Sequence, residues 1–280
     1  MVVAYPLATA LTIASSDSSG GAGIQADLKT FASLGVFGLT VVCAVTAQNT
    51  QAVTAMESLS PSLLTAQLEA LWADLPVGAI KIGLIGPAAG ARAVADFLRA
   101  QAQGIAVVLD PVMVSASGHV FLSPEDQEGL KSLFPLATLL TPNLPEAEAL
   151  TGQAIDSPQR AVAAGEKILK MGPRNVLIKG GHGRGPSCDD YLISPQGVEI
   201  LAGARIETTN THGTGCSLSS AIAAWLARGQ TLGEAVRAAK AYVAQAFLSA
   251  PRLGRGPGPL NHFHQFYGWR EPTDDRSNQS

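Results

Sequence analysis

The hydrophobic positions along the chain alternate between two patterns, and the first consists of short, almost wholly apolar runs. Such runs predict buried strands, because a parallel strand that is covered on both faces lacks the polar alternation of a half-exposed strand. The predicted strands are Ala8–Ala14, Val41–Thr46, Ala79–Ile82, Ala106–Asp110, Thr138–Thr141 and Val176–Lys179.

Longer stretches with helical spacing of apolar residues separate these strands. Prolines stand at or near most of their starts, where a helix tolerates proline. The predicted helices are Gly23–Leu34, Pro61–Trp72, Pro87–Gln101, Pro124–Phe134, Pro145–Leu150 and Pro158–Met171. An antiparallel edge hairpin, Tyr191–Ile193 with Val198–Leu201, precedes two last helices that end near Arg228 and at Leu248.

This alternation predicts βαβ units. The expected fold class is α/β, with a central, mostly parallel sheet, helices on both faces and ligands at the carboxyl ends of the strands. No linker rich in Pro, Gly and Ser divides the 280 residues, so we expect one domain over residues 1–270. The polar segment 271–280 is expected to be a disordered tail.

Composition narrows the class of function. Only 15% of the residues are charged and the formal net charge is −3, which argues against nucleic acid as a partner. The cysteines Cys43, Cys188 and Cys216 are far apart, which fits a reducing cytoplasm and indicates neither a disulfide framework nor a zinc site.

The apolar stretch Leu7–Ala14 lacks a basic flank and predicts the first strand rather than a signal peptide. No segment approaches the ~20 apolar residues that cross a bilayer, so no membrane association is expected.

The glycine-containing stretch Asn210–Ser220 is the most informative part of the sequence. Gly213 and Gly215 predict a sharp turn that opens a helix, whose first amides have no intrahelical partner and face the positive end of the helix dipole. Such a helix start can bind phosphate. The alternative is an ordinary loop before a packed helix, because apolar residues recur at helical spacing from Leu218 to Leu226.

Polar side chains also follow three neighbouring predicted strands. Asp110 ends one strand, Asn143 and Glu146 follow the next, and Lys179 ends the third. Two carboxylates and a carboxamide could hold Mg²⁺ through water, and a lysine could neutralise phosphate oxygens. Taken separately, Asn143 and Glu146 could be helix caps, and Lys179 could extend from the sheet rim to solvent. Taken together with a phosphate-binding helix start, they predict phosphoryl transfer.

Other nucleotide-binding designs fit less well. The chain has no G-x-x-x-x-G-K-[ST] and no H-R-D and D-F-G pair. Gly21–Ala26 matches G-x-G-x-x-A, which leaves a nicotinamide-dependent oxidoreductase as an alternative. That design needs an acidic residue for the ribose after the second strand, where the chain has Ala47–Thr50.

Seven segments together resemble the hydroxymethylpyrimidine/phosphomethylpyrimidine kinase family of thiamine synthesis, a branch of the ribokinase superfamily. They are Ser16–Thr30, Thr46–Thr50, Lys81–Gly83, Asp110–Met113, Thr141–Ala147, Lys179–His182 and His212–Cys216. The resemblance implies a ribokinase-like fold and a cytoplasmic homodimer. It also implies phosphorylation of 4-amino-5-hydroxymethyl-2-methylpyrimidine by ATP with Mg²⁺, and then of its monophosphate to the diphosphate.

The resemblance assigns a role to each candidate residue. Substrate binding falls to Gln48, Asp27 and Gly23, ATP binding to Lys179, Asn143 and Thr214, metal binding to Asp110 and Glu146, and catalysis to Gly213, Thr214, Gly215 and Cys216. A carboxamide at Gln48 suits an aminopyrimidine, because both offer a donor beside an acceptor.

Cys216 is expected to be the base that accepts the proton of the substrate hydroxyl. A thiol at a helix N-terminus has its pKa lowered from about 8.5, which would favour the thiolate near neutral pH. The alternative is a small thiol that only packs.

The chain departs from the family pattern at Ser15, Leu84, Ala116 and Pro257. Ser15 and Leu84 are expected to alter the fit around the pyrimidine. Ser115 stands where relatives with strong pyridoxal kinase activity tend to carry a second cysteine, which disfavours pyridoxal as the main substrate.

A non-catalytic pyrimidine sensor is the remaining alternative. It has no need for a metal or for a base, yet the chain retains Asp110, Glu146, Lys179 and Cys216.

Overall fold

A continuous β-sheet runs through the protein. The computed structural model describes residues 7–114, 118–182 and 188–268. The strands are β1 (Ala8–Asp17), β2 (Val36–Gln48), β3 (Val53–Ser58), β4 (Ala79–Ile82), β5 (Ala106–Leu109), β6 (Leu139–Leu140), β7 (Val176–Ile178), β8 (Asp190–Ser194) and β9 (Gly197–Leu201). Their order in the sheet is β3-β2-β1-β4-β5-β6-β7-β8-β9. The strands from β2 to β7 in this order are parallel, which confirms the predicted fold class.

Helices connect the strands and cover both faces of the sheet. They are α1 (Gly23–Ser33), α2 (Pro61–Trp72), α3 (Ala88–Gln101), α4 (Pro124–Lys131), α5 (Leu144–Thr151), α6 (Pro158–Leu169), α7 (Thr214–Ala227) and α8 (Leu232–Leu248). The hydroxyls of Ser60, Ser123 and Ser157 cap the starts of α2, α4 and α6, each just before a proline. These starts are therefore set locally by the sequence.

Two apolar cores lie on opposite faces of the sheet. One core joins the sheet to α2 through α6, with Leu68 and Phe134 among its fully buried members. The other joins it to α1, α7 and α8, with Phe31 and Ile222 at its centre. Within the described ranges, no helix is both long and apolar enough to cross a membrane.

The structure also differs from the predicted elements. The sequence pattern did not predict β3, because this edge strand pairs with β2 and mixes apolar with polar residues, none of them buried, in place of an apolar run. The predicted helix over Pro124–Phe134 is α4 followed by a separate 3₁₀ turn at Phe134–Leu136. The hairpin of β8 and β9 is antiparallel, as predicted.

The single domain over residues 1–270 stays a prediction. The expected disordered tail, residues 271–280, lies outside the described residues.

The core on the α2 side gives a direct test of packing. Leu68 is fully buried, whereas Leu63 on the same helix is 47% exposed. We expect Leu68→Ala to lower the free energy of unfolding by about 2–5 kcal/mol, because it leaves a cavity in a packed core. Leu63→Ala is the matched control and should cost less than about 1 kcal/mol in urea denaturation. Equal losses from the two variants would contradict the assigned orientation of α2.

Candidate active site

A cavity of about 640 Å³ opens at the carboxyl ends of the parallel strands. Residues that follow β1, β2, β5 and β7 line it, together with the start of α7. The predicted site residues on its wall are Gly23, Gln48, Asp110, Asn143, Glu146, Lys179, Gly213, Thr214, Gly215 and Cys216. The structure therefore brings together residues that are far apart in sequence.

The glycine loop opens α7 as the sequence predicted. Gly213 is the N-terminal cap of α7, has a φ of +80° and provides no side-chain cap. A Cβ at Gly213 would overlap the carbonyl group of Gly21, so the close contact between the two loops requires glycine. A Cβ at Gly215 would lie 3.1 Å from Asp110 Oδ2, which places the helix start beside that carboxylate. The first turn of α7 has no side-chain cap and lines the cavity, so it is a place where an anion could bind.

Asp110, Lys179 and Glu146 form a charged group on the cavity wall. Lys179 Nζ lies 2.7 Å from Asp110 Oδ1 and 3.8 Å from Glu146 Oε2. Burial alone would lower the pKa of Lys179, but the two carboxylates outweigh burial and raise it, so the amine stays charged. Burial raises the pKa of Glu146 to about 7, against the effect of Lys179. The Lys179 ammonium is thus held between the side chains of Asp110 and Glu146.

Asn143 and Glu146 also have a local role, which the sequence left open as an alternative. The Asn143 side chain accepts from the Glu146 amide at 2.8 Å, and Glu146 Oε2 accepts from the Asn143 amide at 2.7 Å. This reciprocal capping box starts α5. It holds both side chains in place at the cavity wall.

The carboxylates fit the manner in which proteins hold Mg²⁺ beside phosphates. In the part of the chain that the structure describes, no group of three or more His, Cys, Asp or Glu side chains could hold a metal ion. Mg²⁺ in phosphate sites commonly takes one or two carboxylates, with water and phosphate oxygens as its other ligands. Asp110 and Glu146 supply this donor set.

Cys216 corrects the sequence-based expectation about its thiol. Burial raises the pKa of Cys216 to about 11, although the Lys81 ammonium and a hydrogen bond from the Gly23 amide act in the opposite direction. The expected lowering of the pKa by the helix start is therefore wrong in direction, because loss of hydration outweighs it. In this structure the thiol is protonated at neutral pH.

The predicted substrate-binding residues fall into two groups. Gln48 and Gly23 line the cavity, and Gly23 has a φ of +58° with its backbone against Ser15. Asp27 is fully buried behind the wall, where Lys81 Nζ lies 2.8 Å from its Oδ2. Asp27 therefore acts on the site through Lys81, whose pKa it raises against the effect of burial.

Sequence reasoning assigned no role to Lys81, Asp17 or His212, although all three line the cavity. The signal for Lys81 was a lysine inside the short apolar strand Ala79–Ile82. Asp17 and His212 meet at 2.8 Å, a contact that no local pattern could predict across so many intervening residues.

Two of the departures from the family pattern meet at the cavity wall. The Ser15 hydroxyl donates to the Leu84 carbonyl at 2.8 Å, and both residues line the cavity. Pro257 is half-buried in the loop after α8, away from the cavity lining. Ser115 and Ala116 lie outside the described residues.

Comparisons with known proteins agree on one family. The model of the phosphomethylpyrimidine kinase family matches residues 17–261. The hydroxymethylpyrimidine/phosphomethylpyrimidine kinase of Rhizobium meliloti (strain 1021) is 49% identical over 264 residues, which are 93% of this chain and 98% of that protein.

Solved structures extend the likeness to the fold. The phosphomethylpyrimidine kinase of Clostridium difficile 630 aligns with a TM-score of 0.76 at 42% identity, over 85% of this chain and 99% of that chain. The pyridoxal kinase of Staphylococcus aureus in complex with AMP-PCP and pyridoxal aligns with a TM-score of 0.85 at 31% identity, over 93% and 95% of the chains.

The buried ion pair beneath the cavity provides the test of this geometry. We expect Lys81→Met to lower the free energy of unfolding by about 3–5 kcal/mol, because Asp27 would remain buried without its cation. Lys131 pairs with Glu128 at the surface, so Lys131→Met should cost no more than about 1 kcal/mol in the same denaturation series. A small loss in Lys81→Met would mean that the pair contributes little to the fold.

Proposed function

The chain belongs to the phosphomethylpyrimidine kinase family, and from this premise we propose that it phosphorylates 4-amino-5-hydroxymethyl-2-methylpyrimidine with ATP. A second transfer to the monophosphate then gives the diphosphate used in thiamine biosynthesis. The observation that carries the proposal is a single cavity lined by the Gln48 carboxamide, a lysine, two carboxylates and a helix start without a side-chain cap.

The nucleotide phosphates would lie between Lys179 and the start of α7. Lys179 supplies a buried positive charge, while the amides after Gly213 offer donors. The Thr214 hydroxyl donates to the Thr211 carbonyl at 2.8 Å and would turn from it to reach a phosphate. Asn143 lines the cavity next to Glu146, where its side chain would contact the nucleotide. Mg²⁺ held by Asp110 and Glu146 through water would neutralise charge on the transferring phosphoryl group.

The acceptor ring would lie against Gln48 and Gly23. The Gln48 carboxamide offers a donor beside an acceptor, which matches the amine and ring nitrogen of the pyrimidine. The glycine at position 23 lets the ring approach the backbone closely, since there is no side chain in the way. This placement directs the hydroxymethyl group towards Cys216, whose thiol accepts from the Gly23 amide and lines the same cavity.

Most of the acceleration should come from positioning and charge. Phosphoryl transfer passes through a loose transition state that asks little of a base, so alignment of hydroxyl and phosphate dominates. The hydroxyl proton passes to Cys216 in its thiolate form. Because burial raises the pKa of this thiol to about 11, that form is scarce at neutral pH.

The alternatives are not favoured. The chain shares the fold of pyridoxal kinases, but its higher sequence identity is to pyrimidine kinases. A sensor would not need the charged group around Lys179. A homodimer and a cytoplasmic location remain part of the proposal, supported by the family resemblance. The exposed Phe37 and Val45 on β2 would fit a subunit contact.

A substrate comparison tests the proposed function. In a coupled assay with Mg²⁺ and ATP, we expect turnover with hydroxymethylpyrimidine and with its monophosphate, and much less with pyridoxal at matched concentrations. ATP hydrolysis without an acceptor is the control. Dominant turnover of pyridoxal would instead identify a vitamin B6 kinase, and no turnover with any acceptor would support the sensor.

The pH dependence of the reaction tests the role of Cys216. If its thiolate accepts the proton and the pKa is about 11, kcat should rise with pH between about 7 and 9. Cys216→Ala should lower kcat by about 100-fold or more and remove this slope, while the KM for ATP changes little. Cys188→Ala is the matched control, because Cys188 does not line the cavity. A kcat for Cys216→Ala within a few-fold of the wild type would leave Cys216 a packing role only.

A further inference from the structure

A buried acid and histidine stand beside Gln48 on the cavity wall. Asp17, at the end of β1, is 3% exposed, and His212, just before the glycine loop, is 6% exposed. His212 Nε2 lies 2.8 Å from Asp17 Oδ2 and 3.4 Å from Gln48 Nε2. None of the roles assigned so far uses this pair.

Hydrogen bonds already saturate the Asp17 carboxylate. Oδ1 accepts from the Ser19 amide and hydroxyl, both at 2.8 Å. Oδ2 accepts from the Ala22 amide at 2.8 Å and faces His212 at the same distance. Burial would raise the pKa of Asp17, but the bonds from His212, Ser19 and Ala22 outweigh it and lower the pKa to about 2. Asp17 is thus an ionised acceptor with no capacity left for a ligand.

The charge on Asp17 decides which atom of His212 carries a hydrogen. A carboxylate only accepts, so His212 Nε2 must donate to it. The ring cannot turn away, because it packs against the backbone of Gly21, where a Cβ would overlap it. The single N–H of Nε2 points chiefly at Asp17, so this nitrogen has no lone pair with which to accept from Gln48. Towards Gln48 it offers only the weaker branch of a shared, three-centre hydrogen bond.

Thr46 constrains the other end of the Gln48 carboxamide. The Thr46 hydroxyl donates to the Ser16 carbonyl at 2.8 Å, which uses its single proton. Thr46 Oγ1 lies 3.3 Å from Gln48 Oε1, and towards that atom it can only accept. With Gln48 Nε2 facing His212, its N–H meets a nitrogen that cannot accept, and with Oε1 facing Thr46, acceptor meets acceptor.

A half-turn of the carboxamide resolves both conflicts. It exchanges an oxygen and an NH₂ group of similar size, so it needs no extra space. We propose that Asp17, through His212, holds the Gln48 carboxamide with Oε1 towards His212 and Nε2 towards Thr46, and that this fixed orientation selects the acceptor ring.

A fixed carboxamide accepts only one order of donor and acceptor along the edge of the substrate ring. This consequence rests on the proposed function. With this orientation, the remaining lone pair of Gln48 lies on the His212 side and the remaining N–H lies on the Thr46 side. A ring that carries an exocyclic amine beside an unprotonated ring nitrogen pairs with both. The 4-oxo analogue, with a carbonyl beside a ring N–H, presents the opposite order. Against a Gln48 carboxamide that cannot turn, the carbonyl and the ring N–H of the 4-oxo analogue both stay unpaired. Unpaired polar groups in a binding site select strongly against such a ring.

Asp17 and His212 are therefore positioning residues. Asp17→Asn removes the charge that fixes His212. With its NH₂ group on the His212 side it loses the bond from the Ala22 amide but donates to Nε2, so that this nitrogen becomes an acceptor and Gln48 can turn. We expect Asp17→Asn to lower kcat/KM for the 4-aminopyrimidine by about tenfold or more relative to that for the 4-oxo analogue. The KM for ATP should stay within about twofold. Asp96→Asn, at an exposed surface position, is the matched control.

Two further variants keep the test independent of the stability of Asp17→Asn. His212→Gln retains a side-chain amide donor near the position of Nε2 and should keep more of the selectivity than His212→Leu. Thr46→Val removes the acceptor for Gln48 Nε2 and should weaken selectivity without changing Asp17 or His212. Folded protein is verified for each variant by its urea unfolding transition.

Calorimetry without ATP measures the ratio of the affinities for the amino and the oxo ring. This ratio reports the selectivity independently of turnover. A ratio that falls in Asp17→Asn, His212→Leu and Thr46→Val supports the proposal. A ratio equal to that of the wild type in the folded variants would overturn it and leave the pair a loop-holding role. If the wild type binds the amino ring selectively but does not phosphorylate it, the proposed function fails while the orientation of Gln48 stands.

Discussion

The ion pair between Lys81 and Asp27 is the interaction on which the architecture of the site depends. Lys81 comes from β4 and Asp27 from α1, while Thr12 of β1 and Ser220 of α7 donate to the same carboxylate at 2.6 Å. Both charged groups are fully buried, so these contacts together offset the lost hydration. Four elements thus meet in one place directly beneath the cavity.

This arrangement also couples the fold to the chemistry. The Lys81 ammonium lies close enough to Cys216 to oppose the effect of burial on its pKa. Above it, the starts of α1 and α7 come together where Gly21 and Gly213 touch, a contact that side chains would prevent. The charged group of Asp110, Lys179 and Glu146 completes the wall at neighbouring strand ends. The cavity is therefore built on the same contacts that hold the sheet and helices together.

Local patterns predicted the parts of this structure that depend on local physics. Apolar runs predicted the buried strands, while prolines predicted the starts of α2, α4 and α6, which serine side chains cap in the structure. The positions of Asp110 and Lys179 followed from a general property of parallel sheets, whose carboxyl ends share one edge. The strand β3 escaped prediction because an exposed edge strand needs no apolar run.

Apart from β3, the sequence by itself determined the succession of strands and helices along the chain, the glycine loop before α7 and the set of polar residues that follow the strands. These features depend on residues a few positions apart. Only the tertiary structure decided that Asp27 lies behind the wall with Lys81, that the thiol of Cys216 is protonated, and that Asp17 meets His212. The physical reason is that burial and the distance between remote residues set these properties, and neither exists until the chain has packed.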